Sequence, residues 1–221
     1  MDLSNKSILT DLQKLILENI FDYLDNIYLT GGTALSEYYF KHRYSIDLDF
    51  FTNSEETFKS VIEAISTIMQ KQNLFYEIKR DSNFFKHINI IQNNKEQLIL
   101  HFSKDTSFQI KKEKNIFGKV IVDTIEDIFI NKICAILGRS EIKDLIDLYF
   151  FEKNSYKILD YFKYAQEKDG GLSEESFAYC LNNIEIYDFS NMMIMPLIKN
   201  DLIAFKENLI RIMLEISFNK K

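Results

Sequence analysis

Apolar residues open the chain at helical spacing. Leu9, Leu12, Leu15, Ile16, Ile20 and Phe21 fall on one stripe, which predicts a helix from about Thr10 to Leu24. The period then changes. Ile27-Tyr28-Leu29-Thr30 is a short β-type run that stops at Gly31-Gly32, and Thr33 to Lys41 reads as a second helix. From Ile46 to Phe51 apolar and acidic residues alternate, predicting a half-buried strand with Ile46, Leu48 and Phe50 on one face and Asp47, Asp49 and Phe51 on the other. Ser54 suits the N-cap of a helix running to about Gln72, with Phe58, Ile62, Ile65 and Met69 as its inward stripe. Strands are expected at Leu74 to Lys79, His87 to Ile91 and Gln97 to Phe102, joined by polar turns such as Gln92-Asn93-Asn94-Lys95. The resulting sheet would be mixed and largely antiparallel.

Past Gly118, Lys119 to Val122 could add one more strand, and Thr124 with Asp127 three residues later matches a capping-box helix start. Helical patterns then continue near Ile125 to Leu137, Glu141 to Glu152, Tyr156 to Gln166, Ser173 to Leu181 and Leu202 to Phe218, separated by Gly138, Asp169-Gly170-Gly171 and Pro196. A soft boundary near Asp123 therefore divides an α/β half, residues 1–122, from a helical half, residues 123–221. The sequence has no internal repeats and no low-complexity tracts.

Composition fits a packed body: 221 residues with 46% hydrophobic content can bury a core, and 6 Gly with 1 Pro leave few sharp breaks. The formal charge of -6 argues against nonspecific wrapping of nucleic acid, which needs excess Lys and Arg at the contact surface. Local basic stretches at Lys41-His42-Arg43 and Lys111-Lys112 through Lys114 read first as solvated faces. Cys134 and Cys180 lie far apart in apolar runs, as buried thiols in a reducing cytosol would, and no zinc spacing is present. Asp2, Asp11 and Glu18 among periodic leucines and isoleucines suit an amphipathic first helix better than an export signal, and no apolar run is long enough to span a membrane. A cytoplasmic location is expected.

The candidate chemistry begins at Asp47 and Asp49. Two carboxylates at i and i+2 of a strand project together and repel unless a cation sits between them or one is protonated. Magnesium is the economical cation, since it accepts a few carboxylate oxygens plus substrate phosphates, the arrangement used in nucleotidyl transfer. The plain alternative is a solvent-facing strand edge. Gly31-Gly32-Thr33 strengthens the metal reading, because glycines let backbone N–H groups approach a phosphate; a tight turn needing glycine dihedrals is the plain alternative. Ser45, two residues before Asp47, could bind a phosphate oxygen, and Arg43 could neutralise triphosphate charge; their plain readings are a turn residue and a surface cation.

Gly31-Gly32-Thr33-Ala34-Leu35, followed by Arg43-Tyr44-Ser45-Ile46-Asp47-Leu48-Asp49-Phe50-Phe51, strongly resembles the AbiEii/AbiGii toxin family of minimal nucleotidyltransferases. Lys132, Arg139 and the run Lys143-Asp144-Leu145-Ile146-Asp147-Leu148-Tyr149 resemble that family's helical motif, so the resemblance spans roughly residues 27–151. It implies an α+β fold: a polymerase-β-like core followed by a C-terminal helical bundle that contributes the Lys/Asp motif to the active site. It further implies that Gly31, Gly32 and Ser45 hold nucleotide phosphates, that Asp47 and Asp49 ligate Mg2+ or Mn2+, and that Lys132 contacts the triphosphate. Asp144 would position or activate the acceptor, and Thr33 and Arg139 would join the nucleotide site. Without the resemblance, Lys143 and Asp147 form an ordinary i,i+4 ion pair on a charged helix face.

Polymerase-β-like enzymes often carry a third carboxylate on a later strand, whereas the candidate strand here reads Gln97-Leu98-Ile99-Leu100-His101-Phe102. Glu96, Asp105, His101 or Asp144 could take that place, which leaves the number of metals open. By resemblance the substrate is a nucleoside triphosphate (NTP), the leading acceptor is the 3′ end of tRNA, the setting is a toxin–antitoxin or phage-defence system, and a cognate antitoxin is a partner. A protein hydroxyl is the other acceptor. Two further readings are a haloacid-dehalogenase-like phosphatase, suggested by the D-x-D strand alone, and an interaction protein whose metal site has decayed.

Overall fold

The structure, a computed structural model, describes residues 7–92 and 95–219, and of Glu96 the backbone only. Asp2 and the turn expected at Asn93-Asn94 lie outside the described residues. The chain divides into two compact units, one running to Ser107 and including Lys111–Thr124, the other comprising Phe108–Ile110 and Ile125 onward.

The first unit is built on strands β1 (Ile27–Thr30), β2 (Leu48–Thr52), β3 (Phe75–Asp81), β4 (Phe85–Gln92), β5 (Lys95–Lys104), β6 (Asn115–Phe117) and β7 (Val120–Val122). They form one sheet in the order β3-β4-β5-β2-β1-β7-β6. Pairing is parallel at β2·β5 and β1·β7 and antiparallel elsewhere, so the sheet is mixed and largely antiparallel, as expected. Alternation in three neighbouring strands supplies the core: Leu48 and Phe50, Leu100 and Phe102, and Ile88 and Ile90 are all buried. Phe50 and Phe102 stack with ring centroids 5.1 Å apart.

Helices α1 (Asp11–Ile20) and α3 (Glu55–Gln72) present Ile16, Leu17 and Ile20, and Phe58, Val61, Ile65 and Met69, to that core. Thr10 starts α1 through a capping box in which its hydroxyl accepts from the Gln13 N–H while the Gln13 side chain accepts from the Thr10 N–H. The helix stops at Ile20, four residues short of the expected Leu24. Ser54 caps α3 as its sequence position predicts.

Two sequence expectations fail near the middle of the sheet. Ile46 is 71% exposed and does not share the buried face with Leu48 and Phe50. Its alternation has no ladder to register against, because β2 begins at Leu48, opposite Leu100. The second helix begins earlier than Thr33: α2 spans Gly31–Leu35, continues as a π-helical turn over Ser36–Phe40, and is closed by Lys41 in the left-handed conformation. β6 was not expected; its residues are all exposed, so no burial pattern marked it.

The second unit holds α4 (Ile125–Arg139), α5 (Ile142–Lys153), α6 (Ile158–Lys168), α7 (Glu174–Asn182) and α8 (Lys199–Asn219), with a short 3-10 turn at Ser190–Met192. Phe129 of α4 stacks on Phe151 of α5 at 4.2 Å, and Phe162 of α6 meets Phe177 of α7 edge to face. The segment Phe108–Ile110 belongs here because Phe108 stacks on Tyr164 and the Ile110 N–H donates to Asp127 Oδ1 at 2.6 Å. Among the described residues no helix is long and apolar enough to cross a membrane.

Phe50 is at the centre of the first core, so Phe50→Ala is expected to lower stability by about 3–5 kcal/mol, read as a shift of the urea unfolding midpoint.

Candidate active site

The start of α2 is packed against the segment that leads into β2. Gly31 has φ +72°, a conformation that disfavours any side chain, and a Cβ on it would run into the Asp49 carboxylate. A Cβ on Gly32 would lie 2.6 Å from an Arg43 guanidinium nitrogen and 2.9 Å from Ser45 Oγ. Thr33 donates its hydroxyl to the backbone carbonyl of Asp47. Gly31, Gly32 and Thr33 thus each meet a different part of the Arg43–Asp49 stretch, and a side chain at either glycine would displace the groups packed against it.

The Arg43–Asp49 stretch is fixed from other sides too. Gln13 of α1 donates to the Ser45 carbonyl at 2.9 Å. Arg43 is 3% exposed and His42 fully buried, so Lys41-His42-Arg43 is not the solvated basic face its composition suggested. Arg43 folds back, donating to the Tyr44 carbonyl at 3.0 Å while its guanidinium lies over Gly32.

Asp49 sits opposite Thr30 of β1 and His101 of β5. Its Oδ1 is 3.0 Å from His101 Nδ1. Asp47 precedes β2 by one residue and is half-buried. Of the candidates for a third polar place, His101 is the one in register with Asp49. The Asp105 N–H pairs with the Thr52 carbonyl at the far end of β2, and its carboxylate accepts from the Ser107 N–H at 3.0 Å. The Glu96 side chain lies outside the described residues.

Among the described residues no group of three His, Cys, Asp or Glu side chains is arranged to hold a metal ion. The acids that would form a donor set are Asp47 and Asp49, the latter packed against Gly31. That set fits Mg2+, which takes one or two carboxylates and fills its remaining positions with water and substrate phosphates.

Lys132, Arg139, Asp144 and Asp147 gather in the second unit. Lys132 Nζ lies 2.8 Å from Asp144 Oδ1 and 2.6 Å from Asp147 Oδ2, with all three side chains buried. Arg139 forks onto Asp144, Nε to Oδ2 and a terminal nitrogen to Oδ1, both at 2.7 Å. Lys143 does not pair with Asp147 as its i,i+4 spacing suggested: it reaches Glu141 at 2.9 Å, while Asp147 turns inward to Lys132. Burial alone would push the Asp144 carboxyl up, but the charges of Lys132 and Arg139 outweigh it and hold the group below the usual carboxylate range. Asp147 stood in the quoted motif without a role. Its signal was the i,i+3 spacing from Asp144, which places both acids where one lysine can bridge them.

A family model described as the nucleotidyl transferase AbiEii toxin of a type IV toxin–antitoxin system matches residues 15–212. The chain belongs to the AbiEii family. It is therefore a nucleotidyltransferase of the toxin–antitoxin type. Solved structures similar to this AbiEii-family chain include a candidate nucleotidyltransferase from H. pylori, at 20% identity and TM-score 0.63, covering 96% of this chain and 99% of that one. JHP933 from Helicobacter pylori is 20% identical, with TM-score 0.56 over 95% of this chain and 91% of that one. MenT4, a nucleotidyltransferase toxin from Mycobacterium tuberculosis H37Rv, is 14% identical, with TM-score 0.55 over 92% and 82% of the respective chains. At these identities the likeness concerns the fold, which is α+β and polymerase-β-like. No curated protein matches in sequence. The phosphatase reading is set aside, since it calls for a parallel sheet and β2 runs antiparallel to β1.

Gly31→Ala is expected to lower nucleotide transfer by about 100-fold through displacement of Asp49, with a loss in urea stability of only about 1–3 kcal/mol. For Asp144 the folded pKa lies below the unfolded value of about 3.9, so on acidification the unfolded chain takes up the proton first. Its contribution to stability is complete above that unfolded value and is lost as pH falls through the folded one. Asp144→Asn is expected to cost roughly 3–5 kcal/mol near pH 7, a difference that shrinks below about pH 4 in urea titrations of variant and parent.

Proposed function

We propose that this AbiEii-family enzyme transfers a nucleotide from an NTP to the 3′ end of tRNA in a Mg2+-dependent reaction, with Asp47 and Asp49 holding the metal. The observation that carries the reading is the packing of Gly31 and Gly32 against Asp49, Ser45 and Arg43. Two glycines, a hydroxyl, a guanidinium and a carboxylate lie close together there, groups of the kind that suit a magnesium triphosphate. Bound Mg2+, or Mn2+, would compensate phosphate charge and make the acceptor hydroxyl a better nucleophile.

The chain's own residues divide the remaining work. Gly31 and Gly32 would offer backbone N–H groups to phosphate oxygens, Ser45 would offer a hydroxyl, and Arg43 a fixed positive charge. Thr33 holds the backbone of Asp47 in place. The family resemblance assigns Lys132 and Arg139 to the nucleotide and Asp144 to the acceptor. Within the helical unit these side chains also neutralise one another, so each has a structural role independent of the chemistry. The tRNA acceptor rests on the resemblance, and the net charge of -6 adds no support of its own. The family membership supports a cognate antitoxin partner, and a phage-defence setting and a cytoplasmic location belong to the same proposal.

Incubation of the protein with labelled NTPs, Mg2+ and total RNA is expected to label the tRNA fraction, with transfer falling at least about 100-fold in Asp47→Ala. Label in protein instead would replace the acceptor, and no transfer to either would overturn the reading.

A further inference from the structure

The sheet face that carries Asp49 bears a cross-strand row that the metal reading leaves unexplained. Thr30, Asp49, His101 and His87 stand directly opposite one another across β1, β2, β5 and β4, with Arg80 of β3 opposite His87. Residues in direct register point to the same side of a sheet, so these side chains share one face.

His101 is held by a hydrogen bond and two ring contacts. Its Nδ1 is 3.0 Å from Asp49 Oδ1. A carboxylate only accepts, so Nδ1 carries the hydrogen and donates it. The ring is walled by His87, edge on at 4.8 Å, and by Phe85 at 5.4 Å. His87 is itself tied to the buried Asn89 through Nε2 and Oδ1 at 2.7 Å. The other oxygen of Asp49 is the atom nearest to where a Gly31 side chain would begin. One oxygen is therefore held by a donor and the other packs against a glycine that has nothing to push it away.

We propose that His101 is a positioning residue for Asp49: it occupies the third polar place of the site as a hydrogen-bond donor instead of a third acid. The inference rests on the reading of Asp47 and Asp49 as the metal-holding pair. Two consequences follow from the chemistry of the donor set. Asp49 has one favoured orientation before any cation arrives, because hydrogen bonds from outside the ligand shell orient a ligating carboxylate. With two acids and no third among the described residues, the site carries too little negative charge to take a divalent cation tightly by itself, and the triphosphate would bring the remaining oxygens. Cation capture and nucleotide capture are thereby a single event.

The test is Mn2+ titration of the full chain, followed by electron paramagnetic resonance of the free ion, with and without a non-transferable NTP analogue. The parent is expected to bind Mn2+ at least about tenfold more tightly when the analogue is present. His101→Ala is expected to weaken Mn2+ binding in the presence of analogue by about 10–100-fold. His101→Asn, which keeps an amide donor near the Nδ1 position, restores most of that loss, and His101→Asp tightens binding without analogue. The side chain of His101 is 25% exposed, so folding should tolerate these changes, and unchanged thermal midpoints check that it does. His101→Ala binding Mn2+ as the parent does, or His101→Asn as poorly as His101→Ala, overturns the role of His101 alone. A parent that takes no Mn2+ with the analogue, or an Asp47→Ala variant that binds as the parent does, removes the metal reading and this inference with it.

Discussion

The packing of Gly31 on the Asp49 carboxylate is the constraint on which the site depends. It fixes where α2 begins, since a helix starting with any other residue would drive the carboxylate away. It also links the start of a helix to a strand in the middle of the sheet, so the register of β2 against β1 and β5 is passed directly to the groups beside Gly31 and Gly32. Arg43 and Ser45 then take their places around Gly32, and Gln13 of α1 holds the loop from outside. None of these contacts is strong alone. Together they leave the loop between α2 and β2 with few conformations, which is what a site that must orient a polyphosphate needs.

The helical unit is organised by the opposite kind of interaction. Lys132, Arg139, Asp144 and Asp147 put two positive and two negative charges into one place, three of them in side chains almost entirely removed from water. Such a cluster costs more to break than it contributes when whole, because removal of one member strands a buried charge. It joins α4 to α5 alongside the stacking of Phe129 on Phe151.

The sequence made much of this legible, and the parts it hid have physical reasons. The mixed sheet, the helical second half and the family were readable because alternation, helical spacing and two spaced motifs all survive without tertiary information. Ile46 misled because the alternation in sequence begins two residues before the ladder that gives it meaning. Arg43 and His42 misled because charge predicts exposure unless local backbone acceptors and a neighbouring glycine create room inside. Lys143 and Asp147 fitted a rule about isolated helices, which lost to a buried lysine on another helix. The place of His101 stayed open, since which strand lies beside β2, and in what register, is a non-local fact.

The parallel pairing of β2 with β5 also governs the order of events during synthesis. A hairpin closes as soon as its second strand is made, whereas β2 must wait for α3, β3 and β4 before β5 exists, and β1 must wait longer still for β7. Long loops are closed late because their entropy must be offset by contacts that form only at the end. A nascent or truncated chain ending before Gln97 therefore has Asp47, Asp49 and the β1 strand beside them, but neither β5 nor His101 on the other side. The topology thereby ties completion of the surroundings of Asp49 to the synthesis of most of the α/β unit.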